Sequence, residues 1–317
     1  MTRVAILGCG YVGCELARQL DDAGHAVVGV RRSKSGLEAV AKAGAEPVRA
    51  DVTDANSLDA VPDTEWVVFA ASAGGRDADA ARQTYVEGLR TTIDHFTARQ
   101  EAPDRFLYTS STGVYGDHEG EWVDEDTPIE PGDQDTPIEP GDQDTPIEPG
   151  DDRTEILAEA ERLAIDRPPA GIDGTVARFG GLYGPDRYRL ARYLERPVTA
   201  GVRNMVHRDD AAGAVRFLLE TDQGRNEVIN VVDDEPVEKW AFADWLAEQC
   251  GVDAPAKQTV AERLAEVDRP ATRRRIRASK RVGNDRLRTL DYEFVYPTFR
   301  EGYRAAIEGR RAGETPS

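Results

Sequence analysis

The chain has 317 residues, with 59 Asp and Glu against 40 Lys and Arg, a formal net charge of −19 and an isoelectric point near 4.7. That length allows one large or two modest domains. So acidic a surface repels nucleic-acid phosphates and anionic lipid head groups, which sets both aside as partners and leaves a small molecule, with a homodimer left open as a protein contact.

Arg3 to Gly8 is a short apolar run, followed by a glycine cluster and then by Val12 to Ala23, in which Val12, Leu16 and Leu20 recur at helical spacing. His25 to Val30 is the next strand, Ser35 to Ala43 a helix, and Glu46 to Arg49 a third strand leading to Asp51. Trp66 to Ala71, a helix over Ala78 to Arg99, and a strand from Arg105 to Thr109 ending in Ser110 and Ser111 continue the alternation, which predicts a parallel sheet. Between Asp117 and Asp152 the pattern stops. There the unit D-T-P-I-E-P-G-D-Q starts at Asp126 and Asp135, with a near copy at Asp144, and its proline and acid cannot nucleate a core. A duplicated loop is the plain reading and a lid the sharper one. Order resumes with a helix from Arg153 to Ile165 and a strand from Gly174 to Phe179. A smaller lobe follows Gly184, with Asp209 and Asp210 capping a helix to Glu220, a strand Glu227 to Val232, a helix Trp240 to Cys250 and a last helix after Pro297.

Three cysteines, Cys9, Cys14 and Cys250, make no disulfide framework, and no run approaches the roughly 18 apolar residues of a membrane span. With no basic, apolar leader at its start, a reducing cytoplasm is expected. Only five of the cationic residues are lysine, a balance similar to that of proteins from salt-loving organisms. High salt would screen the self-repulsion, since the Debye length falls to roughly 3 Å at 1 M. The four histidines are scattered and predict no metal site.

Gly8-Cys9-Gly10-Tyr11-Val12-Gly13 lies between a strand and a helix, the context that a G-x-G-x-x-G dinucleotide fingerprint requires. Gly8 would make the turn, Gly10 would let the pyrophosphate approach, and Gly13 would let helix pack on strand, while the helix N-terminus at Tyr11 and Val12 supplies N–H groups and positive dipole. A carboxylate that would hold ribose hydroxyls is absent after the second strand. Arg31 and Arg32 stand there instead, and two guanidiniums suit a 2′-phosphate, so NADP is expected over NAD. Asp51 and Val52 after the third strand, and Ala70 and Ala71 after the fourth, complete the expected cofactor contacts. Cys9 and Cys14 read as small packing residues beside this helix end. The fold class is thus α/β, a Rossmann-type doubly wound parallel sheet with a smaller C-terminal substrate lobe. Residues 1–183 form the dinucleotide-binding domain, carrying the insertion at 117–152, and residues 184–317 the lobe, partly interleaved with the first.

Three further segments resemble one family. Ser110-Ser111-Thr112-Gly113-Val114-Tyr115-Gly116 is similar to its S-S-x-x-V-Y-G segment, Arg178 through Leu182-Tyr183-Gly184-Pro185 to its R-x-x-N-V-Y-G-P segment, and His207-Arg208-Asp209-Asp210 to its H-V-D-D segment. The family is the NAD-dependent epimerase/dehydratase family, the extended branch of the short-chain dehydrogenase/reductase superfamily. The resemblance implies Ser111 as a catalytic serine and a tyrosine and lysine, in Y-x-x-x-K, for proton transfer. With two repeat copies removed, those slots fall at Arg153 and Leu157, and the following glutamate at Glu161. Gly181 replaces the asparagine that contacts a nucleotide diphosphate, and the loop is G-x-G-x-x-G where the family has G-x-x-G-x-x-G. An atypical subgroup without the tyrosine–lysine pair is implied.

Tyr115 is then the candidate acid beside Ser111, with Tyr183 and Arg187 as candidate substrate contacts and Tyr188 and Arg153 as further possibilities. Tyrosines at strand ends usually pack with a bonded hydroxyl, and His207 reads first as structural beside a helix cap. Two functions stay open: an NAD(P)-dependent oxidoreductase or epimerase/dehydratase-like enzyme acting on a small hydroxyl or carbonyl substrate with a non-standard acid, or a non-catalytic NAD(P)-binding sensor. The opening alone, with Gly24-His25, also resembles nucleotide-sugar dehydrogenases, whose downstream cysteine could only be Cys250.

Overall fold

The structure is a computed structural model that describes residues 1–73, 78–129, 152–169 and 171–313, without the side chains at 152, 153 and 271. Seven strands form one sheet: β1 (Arg3–Leu7), β2 (Ala26–Arg31), β3 (Glu46–Arg49), β4 (Trp66–Phe69), β5 (Arg105–Ser111), β6 (Asp173–Phe179) and β7 (Glu227–Val231). Their spatial order is β7-β6-β5-β4-β1-β2-β3 and every pairing is parallel. The order reverses beside β1, so the crevice beyond the carboxyl ends of β1 and β4 is the topological switch point where such sheets bind ligands.

Alternation in β1 shows why the sheet is covered on both sides. Val4 and Ile6 enter one apolar core, with α1 (Tyr11–Asp22), while Ala5 and Leu7 enter the other. The second core holds α3, built from Ala78–Arg82, a π-helical stretch Gln83–Gly88 and Leu89–Thr97, together with α4 (Asp152–Asp166). In α1 the buried Val12, Leu16 and Leu20 form the stripe that packs on the sheet, next to α5 (Arg208–Glu220). The shorter α2 (Lys34–Lys42) connects β2 to β3 and is capped by Ser33, whose Oγ accepts the Gly36 N–H.

The chain from 184 onward does not stay apart, because β7 returns to the edge of the main sheet beside β6. The remainder builds a third core around Tyr183, Leu190, Phe242, Leu246, Phe299 and Tyr303, with α6 (Lys239–Cys250) as its longest helix. Two expectations need correction. The expected helix over Ala78 to Arg99 is interrupted by the π-helical stretch and ends at Thr97. The cap of α5 is neither Asp209 nor Asp210 but His207, whose Nδ1 accepts the Asp209 N–H at 3.2 Å. Asp210 is instead fully buried and accepts the N–H groups of Val295 and Tyr296. The repeat copies at Asp135 and Asp144 lie outside the described residues.

Candidate functional site

Gly8 leaves β1 with φ +82°, in the left-handed region that a side chain resists, and a Cβ there would collide with the Ala71 backbone. The turn therefore presses against the end of β4, where Ala70 donates its N–H to the Leu7 carbonyl. Gly10 is the N-cap of α1 and no side chain caps this helix. A helix end with uncapped N–H groups and positive dipole, opening at the switch point of the sheet, is an anion cradle. A Cβ on Gly10 would stand 2.8 Å from Arg31 Nη1, and one on Gly13 would stand 3.1 Å from Ile6 Cγ2, so both positions are shaped for close approach.

Arg31 extends from the end of β2 across the cradle. Its Nη1 lies over Gly10, and its Nε is 2.7 Å from where a Gly36 Cβ would stand, so the guanidinium spans from the turn to the first turn of α2. Arg32 pairs with Asp51 at 3.1 Å, and Asp51 also accepts the backbone N–H and hydroxyl of Thr53. Val52 is buried. The expected cofactor residues thus converge on one rim, although Arg32 reaches it already held by Asp51. These features fit a dinucleotide: a cradle for pyrophosphate, a guanidinium beside it, and glycines where side chains would block the approach.

Tyr11 closes the other side. Its hydroxyl donates to the Pro185 carbonyl at 2.9 Å, and its ring lies under the guanidiniums of Arg187 at 4.1 Å and Arg208 at 5.4 Å. Arg187 is thereby tied to the loop that follows Tyr183. Tyr183 itself is 1% exposed, stacks on Tyr303 at 4.8 Å and meets the His207 ring edge-on, so it packs the third core. Burial pushes its hydroxyl far above the usual range for tyrosine.

At the end of β5, Ser111 caps a short 3-10 turn (Thr112–Tyr115), its Oγ accepting the Gly113 N–H at 3.1 Å. As an acceptor there, the hydroxyl keeps its proton to donate outward. Tyr115 points the other way. Its buried hydroxyl donates to Asn230 Oδ1 at 2.8 Å and accepts from Arg178 Nη1 at 2.7 Å, and burial pushes it up to about 12. Arg178 also chelates Glu161, which accepts the Ser110 hydroxyl at 2.6 Å. Leu157 is buried in the core one turn before Glu161 on α4, and the side chain of Arg153 lies outside the described residues.

One residue that sequence reasoning passed over is Lys280. It is 9% exposed, its Nζ donates to the Gly116 carbonyl at 2.6 Å, and burial pushes it down to about 8. Gly116 ends the same turn that Ser111 begins. The contact joins positions 164 residues apart, so no local pattern pointed to it; the scarcity of lysine was the one available signal.

A nucleotide-binding α/β protein with a serine turn at the sheet's carboxyl edge is the class that this fold and site define. The chain belongs to the NAD dependent epimerase/dehydratase family, whose description fits residues 4–231. That membership carries the coarse class, an NAD(P)-binding protein of oxidoreductase or epimerase type. Protein YeeZ of Escherichia coli is 27% identical over 262 residues, which is 80% of this chain and 86% of that one. A functionally unknown conserved protein from Silicibacter pomeroyi DSS superposes with a TM-score of 0.73 at 26% identity, covering 99% of both chains. The human epimerase family protein SDR39U1, solved with NADPH, superposes with a TM-score of 0.74 at 17% identity, covering 96% of this chain and 99% of that one, and shares the fold. Among the described residues no helix is long and apolar enough to cross a membrane, and no cluster of side chains could hold a metal ion.

Proposed function

We propose that the protein binds NADP in preference to NAD and uses it on a small hydroxyl or carbonyl substrate, with acid–base groups other than a tyrosine–lysine pair. The observation that carries this reading is Arg31 laid from Gly10 to Gly36, where its fork can pair with a 2′-phosphate while the α1 cradle takes the pyrophosphate. Ser33 and Ser35, whose hydroxyls are 3.5 Å apart at the start of α2, stand ready as further donors. Asp51, already paired with Arg32, and the Val52, Ala70 and Ala71 backbone line the adenosine side.

Bound nicotinamide supplies the hydride acceptor or donor. The chain's own part is to orient and protonate. Ser111 directs its hydroxyl proton at the substrate oxygen, and Lys280, with a pKa near 8, holds an exchangeable proton at neutral pH on the far side of the same turn. Tyr115 serves as a positioning residue, because its hydroxyl is committed to Asn230 and Arg178 and stays protonated through neutral pH. Arg187 acts through Tyr11, fixing the wall of the cleft. A sensor without turnover is the second reading, favoured by the buried, apolar Leu157 in the lysine slot.

Absorbance at the reduced-nicotinamide band separates the two when the purified protein meets a panel of sugars, alcohols and aldehydes with NADP or NADPH. An enzyme gives turnover that Ser111→Ala and Lys280→Met each lower while NADPH affinity holds. Silence across the panel, with the substrates also unchanged by chromatography and NADPH binding intact, makes it a sensor.

A further inference from the structure

Cys9 and Cys14 lie inside the phosphate-binding turn, and the function above uses neither. Cys9 sits between Gly8 and Gly10 and is buried; Cys14 follows Gly13 in the first turns of α1 and is only partly buried. Their sulfurs are 3.9 Å apart, with the Cys9 thiol directed at Cys14 Sγ, and Cys14 Sγ is 3.4 Å from the Cys9 carbonyl oxygen. We propose that Cys9 and Cys14 are a peroxide-oxidisable dithiol whose disulfide form disables the dinucleotide cradle.

The two thiols are unequal in a way that assigns their roles. The hydrogen bond from Cys9 brings the Cys14 thiol down to about 7 against the effect of burial, with Arg31 and Arg208 adding to it, whereas Cys9 is held protonated. A thiolate is the nucleophile in such chemistry, so Cys14 attacks and Cys9 resolves. The Cys14 thiolate takes one oxygen of hydrogen peroxide; the O–O bond breaks and hydroxide leaves, becoming water on gaining a proton. Cys9 then attacks the Cys14 sulfenic sulfur, the S–S bond forms, the S–O bond breaks, and water departs with the Cys9 proton. Two thiols lose two electrons and two protons, and peroxide becomes two waters.

Geometry makes the product disabling. A disulfide needs its sulfurs at about 2.05 Å, so the pair must close by nearly 2 Å. Cys9 has little room to yield, since it is 1% exposed and packed in the apolar core between α1 and the sheet. The movement falls on residues 8–14, which are the turn and the α1 N-terminus that take the pyrophosphate. The effect on cofactor rests on the dinucleotide reading, while the sulfur chemistry does not.

The test treats the reduced whole protein with hydrogen peroxide, blocks free thiols by alkylation and digests with trypsin. Peptide 4–18, bounded by Arg3 and ending at Arg18, carries both cysteines. It should be lighter by two hydrogens and unalkylated, revert with dithiothreitol, and form in Cys250→Ser but not in Cys9→Ser or Cys14→Ser. NADPH affinity of the oxidised protein should fall about tenfold or more, because the helix-end cradle is displaced, and should return on reduction. A peptide that stays fully alkylated, or carries only an unlinked sulfinic acid at Cys14, overturns the dithiol. A linked peptide with unchanged NADPH affinity overturns its effect on the cradle. Should the reduced protein bind neither NADPH nor NADH, the dinucleotide reading fails, and the peptide mass still decides the dithiol.

Discussion

Arg178 grips Glu161 with both side chains almost wholly out of water, Nη2 to Oε2 at 2.7 Å and Nε to both carboxylate oxygens at 3.1 Å. The pair fastens α4 to β6 behind the serine turn and carries Ser110 and Tyr115 with it. Desolvating two ions consumes much of their attraction, so the pair adds little net stability, yet breaking it strands a buried charge. Glu161→Ala should therefore cost about 3 to 5 kcal/mol in denaturant unfolding, and replacing both residues by apolar side chains of similar volume should cost far less. Equal losses in the two variants would show that the site tolerates a lone guanidinium.

Tyr115→Phe removes the hydroxyl shared by Asn230 and Arg178. It should lower stability by about 1 to 3 kcal/mol, the penalty for leaving buried polar groups unpaired, and leave NADPH affinity unchanged. A loss of turnover at full stability would instead return Tyr115 to the chemistry.

His207 gives the fold a pH dependence. Burial, then Arg208, press it down to about 4, against the pull of Asp209. Above the unfolded value of about 6.5 both states are neutral; below it the unfolded chain binds a proton that the folded chain refuses, so stability falls as pH drops through 6.5 toward 4. The loss from this group is about 3 kcal/mol once pH is below 4. Urea titrations across that range should show it in the natural protein, and His207→Asn, which keeps a capping oxygen, should flatten the profile. An unchanged slope in the variant would place the titration elsewhere.

The net charge of −19 predicts that melting temperature rises as potassium chloride goes from low concentration to the molar range. Screening there reduces self-repulsion across the acidic surface. Maximal stability at low salt would contradict this.

Much of the fold was written locally. The strands β1 to β7 and helices α1, α2, α4, α5 and α6 lie within two residues of where apolar periodicity put them, because each carries its own buried stripe or run. The glycine turn was legible for the same reason, its three glycines and two flanking elements being contiguous. Contacts across the chain were not. Asp209 looked like the cap of α5 because acidic caps are common, but Nδ1 of His207 takes that bond. Arg32 carries the charge of a phosphate ligand, yet only the folded chain shows it held by Asp51. Lys280 reaches Gly116 from a C-terminal stretch of two-residue strands and short helices, elements with too few residues to show a period.

The proposed selection of NADP by the α1 cradle and Arg31 is read by titration calorimetry of NADPH and NADH against three proteins. The natural protein should bind NADPH more tightly than NADH. Gly10→Val should lose both, since the added bulk fills the cradle and displaces the end of Arg31, the atom nearest its Cβ at 2.8 Å, and a melting curve checks that the variant stays folded. Arg31→Ala should lose NADPH affinity by about 1.5 to 3 kcal/mol, the worth of a charged hydrogen bond, with NADH little changed. Undiminished binding of either dinucleotide by Gly10→Val would show that the α1 end is not the cradle, and equal losses of NADPH and NADH in Arg31→Ala would show that Arg31 does not select the 2′-phosphate.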